Sequence, residues 1–222
     1  FGGNDNFNKM LWHGGTLYID DGRPTAEAIS RTVANIKAVR PTIHINVPRG
    51  LELLLDAMQA DPLARAALLG TLRLIFFAGA GLSRATWKRL QSLVSEHAAA
   101  GGQRIALTSG WGSTECGSTI CLVHFPIDGP NAVGLPLPGY ELKLTPVGPK
   151  FEAWVRGPNV TPGYWPPGNS DRSAFDDEGF YRTGDAVRLL DADHPEKGLM
   201  FDGRVAEDFK LSTGTWVSVG PL

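Results

Sequence analysis

Ser109-Gly110-Trp111-Gly112-Ser113-Thr114-Glu115 is the stretch from which the rest of the chain can be read. It is a glycine-loosened turn ending in a hydroxyl and a carboxylate. It follows Arg104-Ile105-Ala106-Leu107-Thr108, a run that predicts a buried strand. Polar groups at the carboxyl end of such a strand stand where open α/β sheets take their ligands. Glycines at 110 and 112 let the backbone approach a bound group, Trp111 offers a flat face and Thr114 a hydroxyl. Glu115 supplies a hard oxygen of the kind Mg²⁺ takes beside phosphates. Taken alone, the same residues also describe an ordinary loop with a solvated glutamate. The segments on either side separate the two readings.

Upstream, Leu72-Arg73-Leu74-Ile75-Phe76-Phe77-Ala78 is the most hydrophobic run, and its continuity predicts a central strand covered on both faces. Gly79-Ala80-Gly81-Leu82-Ser83 follows, with Ser83 placed to cap a helix through about His97. Its spacing matches neither a Walker A loop nor a GxGxxG fingerprint, which favours close approach to a flat ring over a phosphate cradle. Further upstream, Thr16–Ile19 predicts a short strand, and Thr25 caps a helix carrying Ile29, Val33 and Ile36 that ends at Pro41. Thr42–Val47 alternates as a second strand, with His44 solvated or hydrogen-bonded on its polar side. Short helices are expected from Pro48 and behind the Asp61-Pro62 pair.

From about residue 125, prolines and glycines become dense and helical periodicity disappears, which predicts a small β-rich subdomain containing Tyr140–Leu144 and Phe151–Val155. Phe180-Tyr181-Arg182-Thr183-Gly184-Asp185 places a carboxylate where it can accept two hydrogen bonds from a ribose diol. Gly203-Arg204 follows the predicted strand Leu199–Asp202, from which a guanidinium can reach the same sugar or a phosphate. The plainer readings are an aspartate closing a β-turn and an arginine in a surface ion pair. Cys116, Cys121, Trp154 and Trp165 read as packing or rim residues.

Composition narrows the function classes. The 222 residues are 42% hydrophobic and 20% charged with a formal net charge of -2, which describes a globular chain with room for a sizeable core. The 21 basic residues are dispersed among 23 acidic ones, so nucleic acid is not an expected partner. No apolar run approaches the roughly 18 residues that span a bilayer. Two cysteines build no disulfide framework, and a reducing cytoplasm is the expected setting. The chain opens on Phe1-Gly2-Gly3-Asn4 without Met and closes inside the β-prone Val217–Leu222, so it is expected to be a piece of a longer protein whose missing parts pack on it.

In this order the segments resemble the adenylate-forming superfamily of acyl-CoA synthetases, luciferases and peptide-synthetase adenylation domains. Ala78–Ser83 is similar to its adenine loop, Gly110–Glu115 to its aromatic-Gly-x-Thr-Glu motif, Tyr181–Asp185 to its ribose motif, and Arg204 through Lys210 to its hinge. Glu207–Pro221 is particularly similar to feruloyl-CoA synthases, which activate hydroxycinnamic acids. The resemblance implies an α/β subdomain over 1–128 carrying the adenine loop, a β-rich, barrel-like subdomain over 129–205, and over 206–222 the hinge and the start of a truncated C-terminal lid. It implies that ATP (and product AMP), Mg²⁺, coenzyme A and a small carboxylic acid are the ligands. Adenine would lie at Ala80 and Gly81 against Trp111 and Gly112, with Thr114 on the phosphate, Glu115 on Mg²⁺, Asp185 on the ribose hydroxyls and Arg204 on ribose or phosphate. Lys210 would stand near the reacting carboxylate, and Phe1, Gly2, Gly3 and Asn4 would belong to the acyl pocket.

Two departures are visible: Gly81 stands where the family usually has proline, and Ala206 where it commonly has Asp or Lys. The family's phosphate loop would precede Phe1 and its late lysine would follow Leu222, so the isolated chain is expected to bind nucleotide weakly at most and to form no thioester. Two other functions fit the same residues: a non-catalytic nucleotide-binding or interaction module, and an adenylation domain that loads a carrier protein.

Overall fold

The computed structural model describes residues 2–127, 129–164, 174–207, 209–210 and 216–217. Phe1 and Trp165 lie outside these residues, as does most of 206–222. The chain forms two compact units, one chiefly of Asn6–Ser109 and the other chiefly of Gly110–Ile127 and the chain from Asn131 on.

The first unit is α/β. Strands β1 (Ile43–Asn46), β2 (Leu74–Phe77) and β3 (Ala106–Trp111) pair in parallel with β2 in the centre, Ile43 facing Leu74 and Leu74 facing Ala106 in register. Helix α1 (Gly2–His13) opens the chain, and α2 (Ile29–Val39), α3 (Pro48–Ala60), α4 (Pro62–Leu69) and α5 (Arg84–Ala99) carry the remaining helical residues. Proline starts both α3 and α4, where its missing N–H costs nothing. The Asp61 carboxylate accepts the amides of Leu63 and Ala64 at 3.0 Å each, and Ser83 Oγ accepts the Thr86 amide at 3.1 Å, so both sequence-predicted caps form. Ile75 and Phe77 of β2 are buried with Leu51, Leu54, Leu68, Leu72 and Leu90, and the Phe77 and Trp87 rings meet at 6.1 Å. Each such side chain removed from water contributes about 1.5–3 kcal/mol.

The structure corrects four local expectations. Thr16–Ile19 is not a strand: Tyr18 and Ile19 are exposed, and no described strand pairs with the segment to satisfy its backbone. Thr25 holds the turn before α2 rather than the helix itself, its Oγ1 accepting the Ala28 amide at 3.3 Å. Ser109, Gly110 and Trp111 belong to β3, so the turn begins only at Gly112. The alternation in β1 is inverted: Ile43 and Ile45 are exposed, whereas His44 and Asn46 turn inward and join through Asn46 Nδ2 and His44 Nε2 at 3.2 Å. The inward pair faces a polar loop in which Asp20 accepts from Thr32 at 2.5 Å and from Asn35 at 2.6 Å.

The second unit is an antiparallel sheet of β4 (Cys121–Leu122), β5 (Ala132–Pro136), β6 (Glu141–Val147), β7 (Lys150–Arg156), β8 (Tyr181–Leu189) and β9 (Leu199–Arg204), in the order β4-β5-β9-β8-β7-β6. The end of β3 joins it, with Gly110 opposite Leu122. Its core gathers Trp111, Cys116, Ile120, Cys121, Val133, Ala153, Val155, Tyr181, Val187 and Leu199. Cys116 and Cys121 are fully buried free thiols, in keeping with a packing role, and burial pushes the Cys121 thiol up to about 12. The pairing of β5 with β9 slips at Gly134, whose φ is +82°. A Cβ there would lie 2.0 Å from the Leu122 carbonyl oxygen, so no other residue fits.

The inward turn of His44 has a pH signature. Burial pushes its imidazole down to about 4, against the opposing pull of Asp20. Between that value and the ordinary ~6.5 the unfolded chain takes up a proton that the folded chain refuses. The stability that depends on a neutral His44 is therefore present above about pH 6.5 and lost as pH falls towards 4, by up to about 1.4 kcal/mol per unit. An NMR titration of the His44 ring should show a midpoint near 4; a midpoint near 6.5 would contradict the buried placement.

Candidate active site

The second unit brings Trp111, Glu115, Asp185 and Arg204 of the sequence-nominated residues together. β8 and β9 place Asp185 directly opposite Arg204 in register, and the Arg204 guanidinium donates to Asp185 Oδ1 at 2.9 Å. The other carboxylate oxygen is taken from a third strand: the Trp111 indole Nε1–H at the end of β3 donates to Oδ2 at 2.7 Å. Asp185 is 7% exposed and its Arg204 partner half-exposed. Charge-assisted hydrogen bonds to both oxygens offset the cost of burying this carboxylate. The aspartate thus lies within a strand rather than closing a turn, and the ion pair open to Arg204 is made with the other proposed ribose residue itself. Trp111 is buried rather than offering an open flat face, and its indole is engaged here through its N–H.

A short 3₁₀ turn, Thr114–Cys116, follows β3 and presents Thr114 to solvent with Glu115 half-buried beside it. The Tyr164 hydroxyl donates to Glu115 Oε1 at 3.1 Å and lies 3.4 Å from the Tyr181 hydroxyl, and the Glu115 carbonyl accepts the Thr161 amide at 2.6 Å. Burial pushes the Glu115 carboxyl up, but its own amide, the Ser113 and Tyr164 hydroxyls and the charge of Arg204 outweigh burial and hold it below the ordinary carboxylate value. Burial and the Tyr164 hydroxyl push the Tyr181 phenol well above its usual value, so it stays a neutral hydroxyl. Tyr140 anchors the turn from below, its hydroxyl donating to the Cys116 carbonyl at 2.5 Å.

Among the described residues no group of three His, Cys, Asp or Glu side chains comes together to hold a metal ion. Glu115 offers a single ionised hard oxygen, which fits an ion that completes its shell from phosphate and water, as Mg²⁺ does. The remaining nominated residues are dispersed. Ala80 and Gly81 are exposed in the loop between β2 and α5 of the first unit, Gly2–Asn4 form the first turn of α1, and the Lys210 backbone lies in the two-residue strand β10 (Phe209–Lys210), which pairs with β11 (Trp216–Val217). Sequence reading missed Tyr164, which follows Gly163 with no local signal, and the structural uses of Tyr181 and Thr183 inside the ribose motif.

The site and fold define a class. The chain belongs to the AMP-binding enzyme family, whose profile matches residues 3–165. It is 34% identical over 216 residues to the anthranilate–CoA ligase of Pseudomonas aeruginosa, an alignment covering 92% of this chain and 36% of that enzyme. Its fold is similar to the anthranilate CoA ligase AuaEII solved with anthranoyl-AMP, with TM-score 0.67 and 26% identity over 87% of this chain and 35% of that one. It is also similar to ATP-bound MatB from Rhodopseudomonas palustris, with TM-score 0.70 and 25% identity over 95% of this chain and 39% of that one. The chain spans little more than a third of the length of these relatives. No described helix is long and apolar enough to cross a membrane.

Replacing Tyr164 by Phe removes one hydrogen bond that favours the charged form of Glu115. The Glu115 titration, followed by NMR, should move upward towards the ordinary carboxylate range. An unchanged midpoint would remove Tyr164 from the account.

Proposed function

We propose that the chain is part of an ATP-dependent aromatic acid:CoA ligase that adenylates a hydroxycinnamate-like carboxylate and passes the acyl group to coenzyme A. The observation that carries this reading is the pairing of buried Asp185 with Trp111 and Arg204, supported by the similarity to anthranilate–CoA ligases. A substrate carboxylate oxygen attacks the α-phosphorus of ATP, forming the C–O–P anhydride and releasing pyrophosphate. The CoA thiolate then attacks the acyl carbon and AMP leaves.

Asp185 holds the ribose hydroxyls with the lone pairs that Trp111 and Arg204 leave to it, and the half-exposed Arg204 guanidinium meets ribose or phosphate. Ala80, Gly81, Trp111 and Gly112 are the residues assigned to adenine. Thr114 donates to a phosphate oxygen, and Glu115, ionised in advance, is the residue that holds Mg²⁺, an ion that neutralises phosphate charge when bound. Lys210 is assigned to the reacting carboxylate, Phe1–Asn4 to the acyl pocket, and 206–222 to the hinge and the start of the C-terminal lid. These residues act by positioning and charge neutralisation rather than by covalent chemistry.

The full-length protein should form thioesters from ATP, CoA and ferulate or 4-coumarate with kcat/KM at least about tenfold above acetate, a preference that the burial of an aromatic ring can supply. Removing one electrostatic stabiliser by Glu115→Gln should lower kcat about a hundredfold. Anthranilate used in preference to hydroxycinnamates would redirect the substrate assignment, and no thioester from any aromatic acid would overturn the reading.

A further inference from the structure

The sheet buries a second carboxylate that none of this chemistry uses. Glu152 of β7 is 4% exposed, yet it stands in a strand whose neighbours are apolar. A buried carboxylate costs several kcal/mol unless its oxygens are occupied, and both are: Oε1 accepts the Gly184 amide at 3.2 Å and Oε2 accepts the Trp154 indole N–H at 2.9 Å, with Arg182 at 3.7 Å. The bond to Gly184 coincides with a break in the ladder. The β7–β8 register shifts between Glu152 and Trp154, and the β8–β9 register shifts between Asp185 and Val187. Gly184, at φ +71°, leaves the extended conformation between them. Its amide is turned out of the ladder and would be orphaned without a side-chain acceptor.

The next link is also made by a side chain. Thr183 Oγ1 donates to the Ala153 carbonyl at 2.7 Å and accepts the Asp185 amide at 3.1 Å. A Cβ on Gly184 would lie 3.7 Å from an Arg204 guanidinium nitrogen, so the bulge also forms the floor under Arg204. The direction in which Asp185 and Arg204 present their charges is therefore set by an irregular peptide that Glu152 holds from the adjacent strand. Trp154 in turn fixes Glu152 from the other side, and the Arg182 guanidinium lies over its ring at 5.0 Å.

We propose that Glu152 is a positioning residue for nucleotide recognition: it locks the Gly184 bulge so that Asp185 and Arg204 face a ribose diol. The inference rests on the ribose reading of Asp185. A glutamine cannot replace it fully, because two donors, the Gly184 amide and the Trp154 indole, require two acceptor oxygens and the amide side chain has one.

The test compares kcat/KM for ATP and for 2′,3′-dideoxy-ATP in the full-length protein and in Glu152→Ala, Glu152→Gln and Asp185→Asn. The ratio of the two values cancels the fraction of enzyme that is folded, so a merely structural role leaves it unmoved. Wild type should prefer ATP by about tenfold or more, the scale of hydrogen bonds to a charged acceptor. Glu152→Ala should shrink the preference to within about twofold, and Glu152→Gln should lower it about threefold. Where the alanine variant does not fold, the glutamine variant decides. If Asp185→Asn loses the preference while the Glu152 variants keep it, the positioning role is overturned and the ribose reading stands. If Asp185→Asn keeps the preference, the ribose reading fails and the inference fails with it.

Discussion

A carboxylate in the interior of a sheet must have its charge met by the fold, and Asp185 is met from both sides. The indole of Trp111 and the guanidinium of Arg204 each take one oxygen, at 2.7 and 2.9 Å. Losing either donor leaves an oxygen of the buried Asp185 carboxylate without a partner, at a cost of about 1–3 kcal/mol. That penalty ties the end of β3, the bulge of β8 and the end of β9 to one geometry. The same three segments are those that resemble the family's aromatic-Gly, ribose and hinge motifs, so the constraint that stabilises the sheet also fixes the residues proposed for the site.

Around this anchor the charges alternate. Arg204 pairs with Asp185 and also lowers the Glu115 carboxyl, while the Tyr164 hydroxyl donates to the Glu115 carboxylate and lies 3.4 Å from the Tyr181 hydroxyl. The proposed ligand brings both a polyanion and a diol, and it would meet a half-exposed guanidinium and a Glu115 ionised before any ligand arrives. Membership in the AMP-binding family and similarity to an anthranilate CoA ligase solved with anthranoyl-AMP fit that proposal.

Much of the fold was legible from local chemistry. Pro48, Asp61-Pro62 and Ser83 announced their helices because capping is a short-range interaction between a side chain and the next few amides. Leu74–Phe77 was legible as a central strand because a strand covered on both faces is apolar throughout. Residues whose placement depends on distant partners were not legible. Thr16–Ile19 had the composition of a strand but no neighbour to pair with, and β1 turned its isoleucines outward because a polar loop around Asp20 takes the place of a core on the His44 side. At the site, sequence order nominated Glu115, Asp185 and Arg204. Tyr164, Glu152 and the Trp111–Asp185 bond emerged only from cross-strand geometry, which no spacing within a segment records.

The most direct test of the central claim is calorimetric titration of AMP into the full-length protein and its Asp185→Asn variant at one salt concentration, with circular dichroism confirming that both are folded. The account predicts binding weakened by at least about tenfold, since the variant replaces a charged acceptor of two ribose hydroxyls by a neutral amide. Equal affinity in two folded proteins would show that Asp185 serves the sheet alone, and the assignment of this site to nucleotide recognition would be wrong.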